Sequence, residues 1–193
     1  MSAVTLFLGA FSAFKIKYRL ENNSKLVLKG TSNLTNWSCV CNNLQQEENE
    51  LEFNVIGNKL IFSNGVVKIK TNEFNCGKEA ITRDMHKTLK SQFYPNIYIH
   101  IEELNVENLS SLFKTNKKEL KAKGRASITI AGSCRTVNIE VSAKKLKNNQ
   151  YHFYGINKTE MTTFGIDPPS TAFGLVKVGN EIEIVLDLVA KNQ

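Results

Sequence analysis

Apolar and polar residues alternate along most of this chain with a period of two, and the period lengthens in one place. Ile97, Ile99 and Ile101 alternate with Tyr98, His100 and Glu102, the pattern of a strand with one dry face and one wet face. Just upstream, Ile81, Met85 and Leu89 recur every fourth residue, which places them on one face of a short helix. Phe93-Tyr94-Pro95 is the expected stop, because proline lacks a donor and pushes the residue before it out of helical geometry.

The other alternating runs are strands by the same rule. Ile16, Tyr18 and Leu20 alternate with Lys15, Lys17 and Arg19, and Leu26 and Leu28 with Lys25 and Lys29. Leu51, Phe53 and Val55 alternate with Glu52 and Asn54, and extended structure resumes over Leu60 to Phe62 and Val66 to Ile69. Leu120, Ala122, Gly124, Ala126, Ile128 and Ile130 share one face, and Val137, Ile139, Val141 and Ala143 take up the alternation after a Gly132-Ser133-Cys134 hairpin. Tyr151 to Ile156 follows, then Ile182, Ile184, Leu186, Leu188 and Ala190. Asn22-Asn23, Gly57-Asn58 and Asn148-Asn149 supply tight turns. Thr31 to Trp37 reads as a loop at the rim of a sheet, and Trp37 as a core or rim plug or a surface on which a ligand stacks. Glu103 to Asn116 is expected to be a connection. Asn157 to Phe173 is irregular and apolar at once, as expected of a loop that closes an opening or touches what lies inside.

Eight or more strands with short turns and one inserted helix predict an all-β fold: an antiparallel up-and-down barrel of about eight strands, which removes exposed edges by closing. The 193 residues suit one such domain. Residues 1–14 contain an apolar run of signal-peptide length with a small-x-small site at Ala10-Phe11-Ser12 but no preceding Lys or Arg. The expected division is therefore a signal-peptide remnant at 1–14 and a single barrel domain over 15–193. That division carries an expectation of a periplasmic or secreted protein.

Charge adds less. Twenty-five basic and eighteen acidic side chains give +7, which suits ordinary solubility or an anionic partner. Zinc-finger, helix-turn-helix and RNA-binding signatures are missing, so nucleic acid is not an expected partner. Lys117, Lys121, Lys123 and Arg125 form a basic run whose strand portion faces outward, with peripheral membrane contact as the sharper reading. Cys39 and Cys41 share a strand face and are poorly placed to bridge each other, so a bond from one of them to Cys76 is expected. Cys134 reads as an unbridged thiol. His86 reads as a surface helix residue, and His100 and His152 as outward strand residues, a poor metal set.

Several ordered stretches together resemble the YceI-like family of exported, lipocalin-like, polyisoprenoid-binding barrels. They are Ser24 to Asn33 with Trp37, Asp84-Met85 with Leu89-Lys90 and Tyr94 to Ile97, Gly124 to Val137, and Asp167-Pro168-Pro169-Ser170 before Phe173 to Val176. The resemblance implies an elongated apolar interior holding an isoprenoid chain, no cofactor and no catalytic motif. The lining and rim residues expected on that basis are Trp37, Ile97, Ile99, Ile128, Ile130, Ile139, Val141, Phe153, Phe164, Phe173, Ile184 and Leu186. A barrel packed solid, acting as an envelope interaction or scaffold protein, is the alternative. Whether two chains form a homodimer is open at this level.

Overall fold

The computed structural model describes residues 13–42, 44, 48–107, 109, 119–171 and 174–193. Within them the chain forms β1 (Ala13–Leu20), β2 (Lys25–Ser32), β3 (Asn36–Cys41), β4 (Glu48–Ile56), β5 (Lys59–Phe62), β6 (Val66–Lys70), helix α1 (Glu79–Thr88), β7 (Asn96–Val106), β8 (Leu120–Ile130), β9 (Ser133–Lys145), β10 (Gln150–Glu160), the two-residue β11 (Ser170–Thr171) and β12 (Val176–Asn192). Neighbouring strands are antiparallel in the order β1-β4-β5-β7-β8-β9-β10-β12, and β12 returns to β1. The sheet is therefore the expected closed ring of eight.

The remaining long strands are continuations of ring members. β1 and β2 pair with the same edge of β12, through Leu20–Ala190 and Asp187–Lys25. β3 and β4 likewise keep one register against them, through Leu26–Cys41 and Arg19–Glu48. β5 and β6 both lie along β7. At the β1–β2 and β5–β6 breaks a side chain takes over from the interrupted ladder, because buried backbone groups need partners. The buried Ser24 hydroxyl donates to the Val189 carbonyl at 3.1 Å and accepts from the Val189 amide at 2.9 Å. Asn64 Oδ1 accepts from the Glu52 amide at 2.6 Å.

Among the described residues, two places in the wall are closed by something other than a ladder. Between β3 and the segment after β6, one bridge joins Val40 and Asn75 by two backbone bonds of 2.8 and 2.9 Å. Beside it stands the Cys39–Cys76 disulfide, which closes a separation of 37 residues and so stabilises the fold by about 4 kcal/mol on chain-entropy grounds. Between β9 and β10 the described pairing ends at Glu140–Ile156. Asn157 Nδ2 donates across the split to the Asn138 carbonyl at 2.9 Å. The short 3-10 turn Met161–Phe164 and the residues after it then fill it with Met161, Phe164 and Ile166, all buried.

Several expectations change in detail. α1 ends at Thr88, before Phe93-Tyr94-Pro95, because Lys90 takes a positive φ of 51° and its carbonyl accepts from the amides of Phe93 and Tyr94. Leu89 is buried and Met85 packs on the core, while Ile81 stays 39% exposed. Glu103 to Val106 is strand, with a bulge after Ile101, and Asn157 to Glu160 extends β10. Ala13 and Phe14, grouped with the leader in the sequence reading, are the first residues of β1. His86 is half-buried, with Nε2 donating to the Phe74 carbonyl at 3.1 Å, and so ties the helix to the segment before it.

Candidate lipid-binding lumen

The inward face of β8 shows how the interior is divided. Ile130, Ile128 and Ala126 are buried, whereas Gly124, Ala122 and Leu120 further along the same face are partly exposed. The alternation is unbroken; what changes is the cover. At the first end, Phe74, Leu89, Met161, Phe164 and Ile166 pack with Ile97, Ile99, Ile128, Ile130, Ile139 and Ile184 into one core. These last six and Phe164 were all expected to line a cavity, and here they are packed against protein. Trp37 sits at the same end, opposite Gly30, and its indole N–H donates to the Thr31 carbonyl at 3.1 Å. A Cβ on Gly30 would stand 2.4 Å from the indole ring, so Trp37 is a rim plug, already occupied by its own chain. Phe173 lies outside the described residues.

The second end is different. β1 pairs with β12 only over Tyr18–Leu20, so Ala13 to Ile16 extend past the end of β12 with β4 along one edge. On the face that β1 shares with the buried Leu20, Phe14 is 43% and Ile16 38% exposed. Phe14 opposes Phe53 and Ile16 opposes Leu51, while Phe62 opposes Phe53 from β5. The Phe14 and Phe53 rings stack at 5.4 Å, and Phe53 and Phe62 lie 5.7 Å apart and tilted. The row forms an apolar lip, and Tyr18, Leu104, Val141, Phe153 and Leu186 are half-buried and pack against the core. Of the expected lining residues, Val141, Phe153 and Leu186 are half-buried against the core.

Two glycines, Gly124 and Gly155, stand on inward faces of β8 and β10. Gly124 is forced by the bulge, since a Cβ there would fall on the Glu103 carbonyl. Gly155 on β10 is under no such constraint: a Cβ would lie 3.8 Å from Val141 and 3.9 Å from Leu186, ordinary contact distances. Its missing side chain leaves room for a side-chain carbon beside its cross-strand neighbours Val141 and Leu186 and the Glu140 carbonyl.

The outside of the lip is charged, as an open strand edge requires. Lys15 lies 3.3 Å from Glu50 and 3.4 Å from Glu52, and Lys17 lies 3.3 Å from Glu48. Hydrogen bonding to Glu50 and then Glu52 raises the Lys15 pKa. Inside, burial pushes the Tyr18 phenol above its ordinary value near 10. The basic run is also neutralised in part: Lys123 pairs with Glu140 at 3.3 Å and Arg125 with Glu103 at 3.2 Å. Lys121 is exposed, and Lys117 lies outside the described residues. Two of the four basic residues on which membrane contact was expected to rest are thus ion-paired within the sheet. A cleft of about 540 Å³ at the β1–β2 break is walled by Arg19, Glu21, Asn22, Asn23 and Gln150 with Leu20, a polar lining unsuited to an alkyl chain. His152 Nε2 meets Asp187 at 2.6 Å on the outer face.

The family profile of the YceI-like domain matches residues 14–190. The chain belongs to the YceI-like family. No curated protein matches it by sequence. Among solved structures, a polyisoprenoid-binding domain from Saccharophagus degradans, implicated in plant cell wall breakdown, superposes with a TM-score of 0.65 at 10% identity, covering 92% of this chain and 99% of that one. BcnA of Burkholderia cenocepacia gives 0.59 at 13% identity, over 86% of this chain and 95% of its own. The YceI protein of Campylobacter jejuni gives 0.51 at 16% identity, over 68% and 73%. At these identities the likeness is one of fold, and the YceI-like barrel is the fold in question.

The aromatic lip was missed in the sequence reading, although its signal was present. Leu51, Phe53 and Phe62 alternate as any strand does, but three phenylalanines meeting across three strands become visible only once the register is known.

Proposed function

We propose that this YceI-like barrel binds or carries an amphiphilic, isoprenoid-type lipid in the cell envelope, without catalysis, by taking its apolar chain into the open half of the lumen. The observation that carries the reading is the partial exposure of inward apolar side chains from Phe14 to Leu186, beside a second half of the same barrel that is packed solid. Water against such a surface is unfavourable, and each methylene of a chain that displaces it contributes on the order of 0.8 kcal/mol. The aliphatic walls and Phe14–Phe53–Phe62 row suit a long branched hydrocarbon. The polar end of the lipid then lies at the mouth, near the Lys15 and Lys17 ion pairs. Family membership and the Saccharophagus degradans domain support the ligand class.

The test is mass spectrometry of an organic-solvent extract from protein purified without detergent, beside an unrelated barrel handled identically. A stoichiometric isoprenoid in the first extract alone is the expected result. Empty extracts, also after incubation with envelope lipids, would favour an interaction protein instead.

A further inference from the structure

The packed end carries on its outside the three most exposed large apolar side chains among the described residues. They are Phe93 at 79%, Leu175 at 75% and Leu34 at 71%, well above the next, Ile56. Each stands on a different connection at that end: Leu34 between β2 and β3, Phe93 between α1 and β7, and Leu175 just before β12. These connections are tied into one rim. Asn33 Nδ2 donates to the Leu175 carbonyl at 3.0 Å, and Asn33 Oδ1 accepts from the Lys177 amide at 2.9 Å. Asn180 Oδ1 accepts from the Thr162 amide at 3.1 Å, which joins β12 to the turn after β10. A Cβ on Gly165 would stand 3.5 Å from Ser133 Oγ, and one on Gly132 would fall against the Tyr94 ring. That turn therefore abuts the β8–β9 hairpin, and the hairpin abuts the residue after Phe93.

Cations flank the three tips. Lys90 shares the turn of Phe93, whose amide donates to the Lys90 carbonyl, and Lys87 precedes it in the last turn of α1. Lys177 follows Leu175 by two residues, and all three lysines are exposed. Along the barrel wall Lys15, Lys17, Lys25, Lys29, Lys59 and Lys123 are each paired with a carboxylate. Among the described residues no such pair involves Lys87, Lys90 or Lys177. The exposed carboxylates of the rim, Glu160, Glu181 and Asp167, belong to β10, β12 and the segment between them, and Glu79 on α1 is paired with Arg83. Single apolar tips on separate loops lack the contiguous dry centre of a protein interface. They suit a lipid surface, where loop tips enter the boundary between headgroups and acyl chains and lysines meet anionic headgroups. We propose that the packed end is a docking surface for an anionic bilayer, with Leu34, Phe93 and Leu175 inserted and Lys87, Lys90 and Lys177 on the headgroups. The net charge of +7 steers the same encounter. This inference goes beyond the lipid-binding reading and does not rest on it, since the docked end is filled by its own core. The aromatic lip, at the opposite end of the barrel, is held away from the surface.

The experiment is co-sedimentation of the full chain with large vesicles of phosphatidylcholine, prepared with and without phosphatidylglycerol. The expected result is binding to the phosphatidylglycerol vesicles that weakens as salt is added. Leu34→Ser/Phe93→Ser/Leu175→Ser and Lys87→Glu/Lys90→Glu/Lys177→Glu should each partition at least tenfold more weakly, with urea unfolding confirming that these exposed positions leave the fold intact. Phe14→Ser, at the other end, should bind as the parent does. In Phe93→Trp the added indole should be quenched by brominated acyl chains more strongly than Trp37 is in the parent. Absence of parent binding to anionic vesicles would overturn the proposal, as would parent-like binding by the apolar triple variant. Loss of binding in Phe14→Ser instead would give the contact to the lip. Self-association of the parent, abolished by the same triple variant without any vesicle binding, would make the rim a contact between copies of this chain. Titration of a fluorescent polyprenyl probe decides the lipid-binding reading separately, because a chain that takes the probe but ignores the vesicles keeps that reading and loses this one.

Discussion

The two ends of this barrel share the same strands and the same alternation, yet one is packed as a core while inward residues at the other stay partly exposed. Along β8 the inward residues pass from buried Ile130, Ile128 and Ala126 to partly exposed Gly124, Ala122 and Leu120. The packed end is covered by elements from outside the ladder: the turn Met161–Phe164, the Phe74 segment and the residue after α1. At the other end β1 runs past β12, and among the described residues Phe14 and Ile16 stay 43% and 38% exposed. The difference teaches that an apolar inward face makes a cavity or a core according to what caps it, and that small residues such as Gly155 decide how much volume remains.

Mutations should separate the two ends. The largest effect on stability is expected from Phe164→Ala at the packed end, a loss of about 3–5 kcal/mol in urea unfolding, with the folded fraction still binding lipid. Phe53→Ala at the lip removes one ring from between two others and should cost about 1–2 kcal/mol, while weakening lipid binding roughly tenfold, or about 1.4 kcal/mol. Comparable stability losses for the two variants would erase the distinction between core and lip. The smallest effect concerns Tyr18, between the two regions. Because burial raises its pKa, the folded chain holds the phenolic proton more tightly than the unfolded chain does. Stability is therefore undiminished by this group below pH about 10 and falls as pH rises through and above it. Tyr18→Phe should flatten that alkaline loss in urea midpoints measured on either side of pH about 10, and an unchanged alkaline slope would remove Tyr18 from the dry interior.

The fold was largely legible because period-two alternation on β7, β8, β9 and β12 fixes faces as well as strands, and Ile81, Met85 and Leu89 mark the helix. The cysteines were half legible. Sharing a face sent Cys39 or Cys41 to Cys76, and only the Val40–Asn75 register selects Cys39. Depth was not legible. Ile128 and Leu51 have the same local pattern, and burial depends on Phe164 or Phe74 arriving from far along the chain. For that reason seven of the expected lining residues, Ile97, Ile99, Ile128, Ile130, Ile139, Phe164 and Ile184, proved to be packed core. Phe14 was overlooked for a different reason, since the apolar run of residues 1–14 hides the start of β1.

The central claim is that the volume beside Gly155 belongs to the ligand, and titration of a fluorescent polyprenyl probe into Gly155→Phe tests it most directly, with urea unfolding alongside. The account predicts at least tenfold weaker binding, with stability within about 1 kcal/mol of the parent, because the new ring occupies open lumen. Parent-like affinity, accompanied by the loss of about 1–3 kcal/mol expected of an overpacked core, would contradict it.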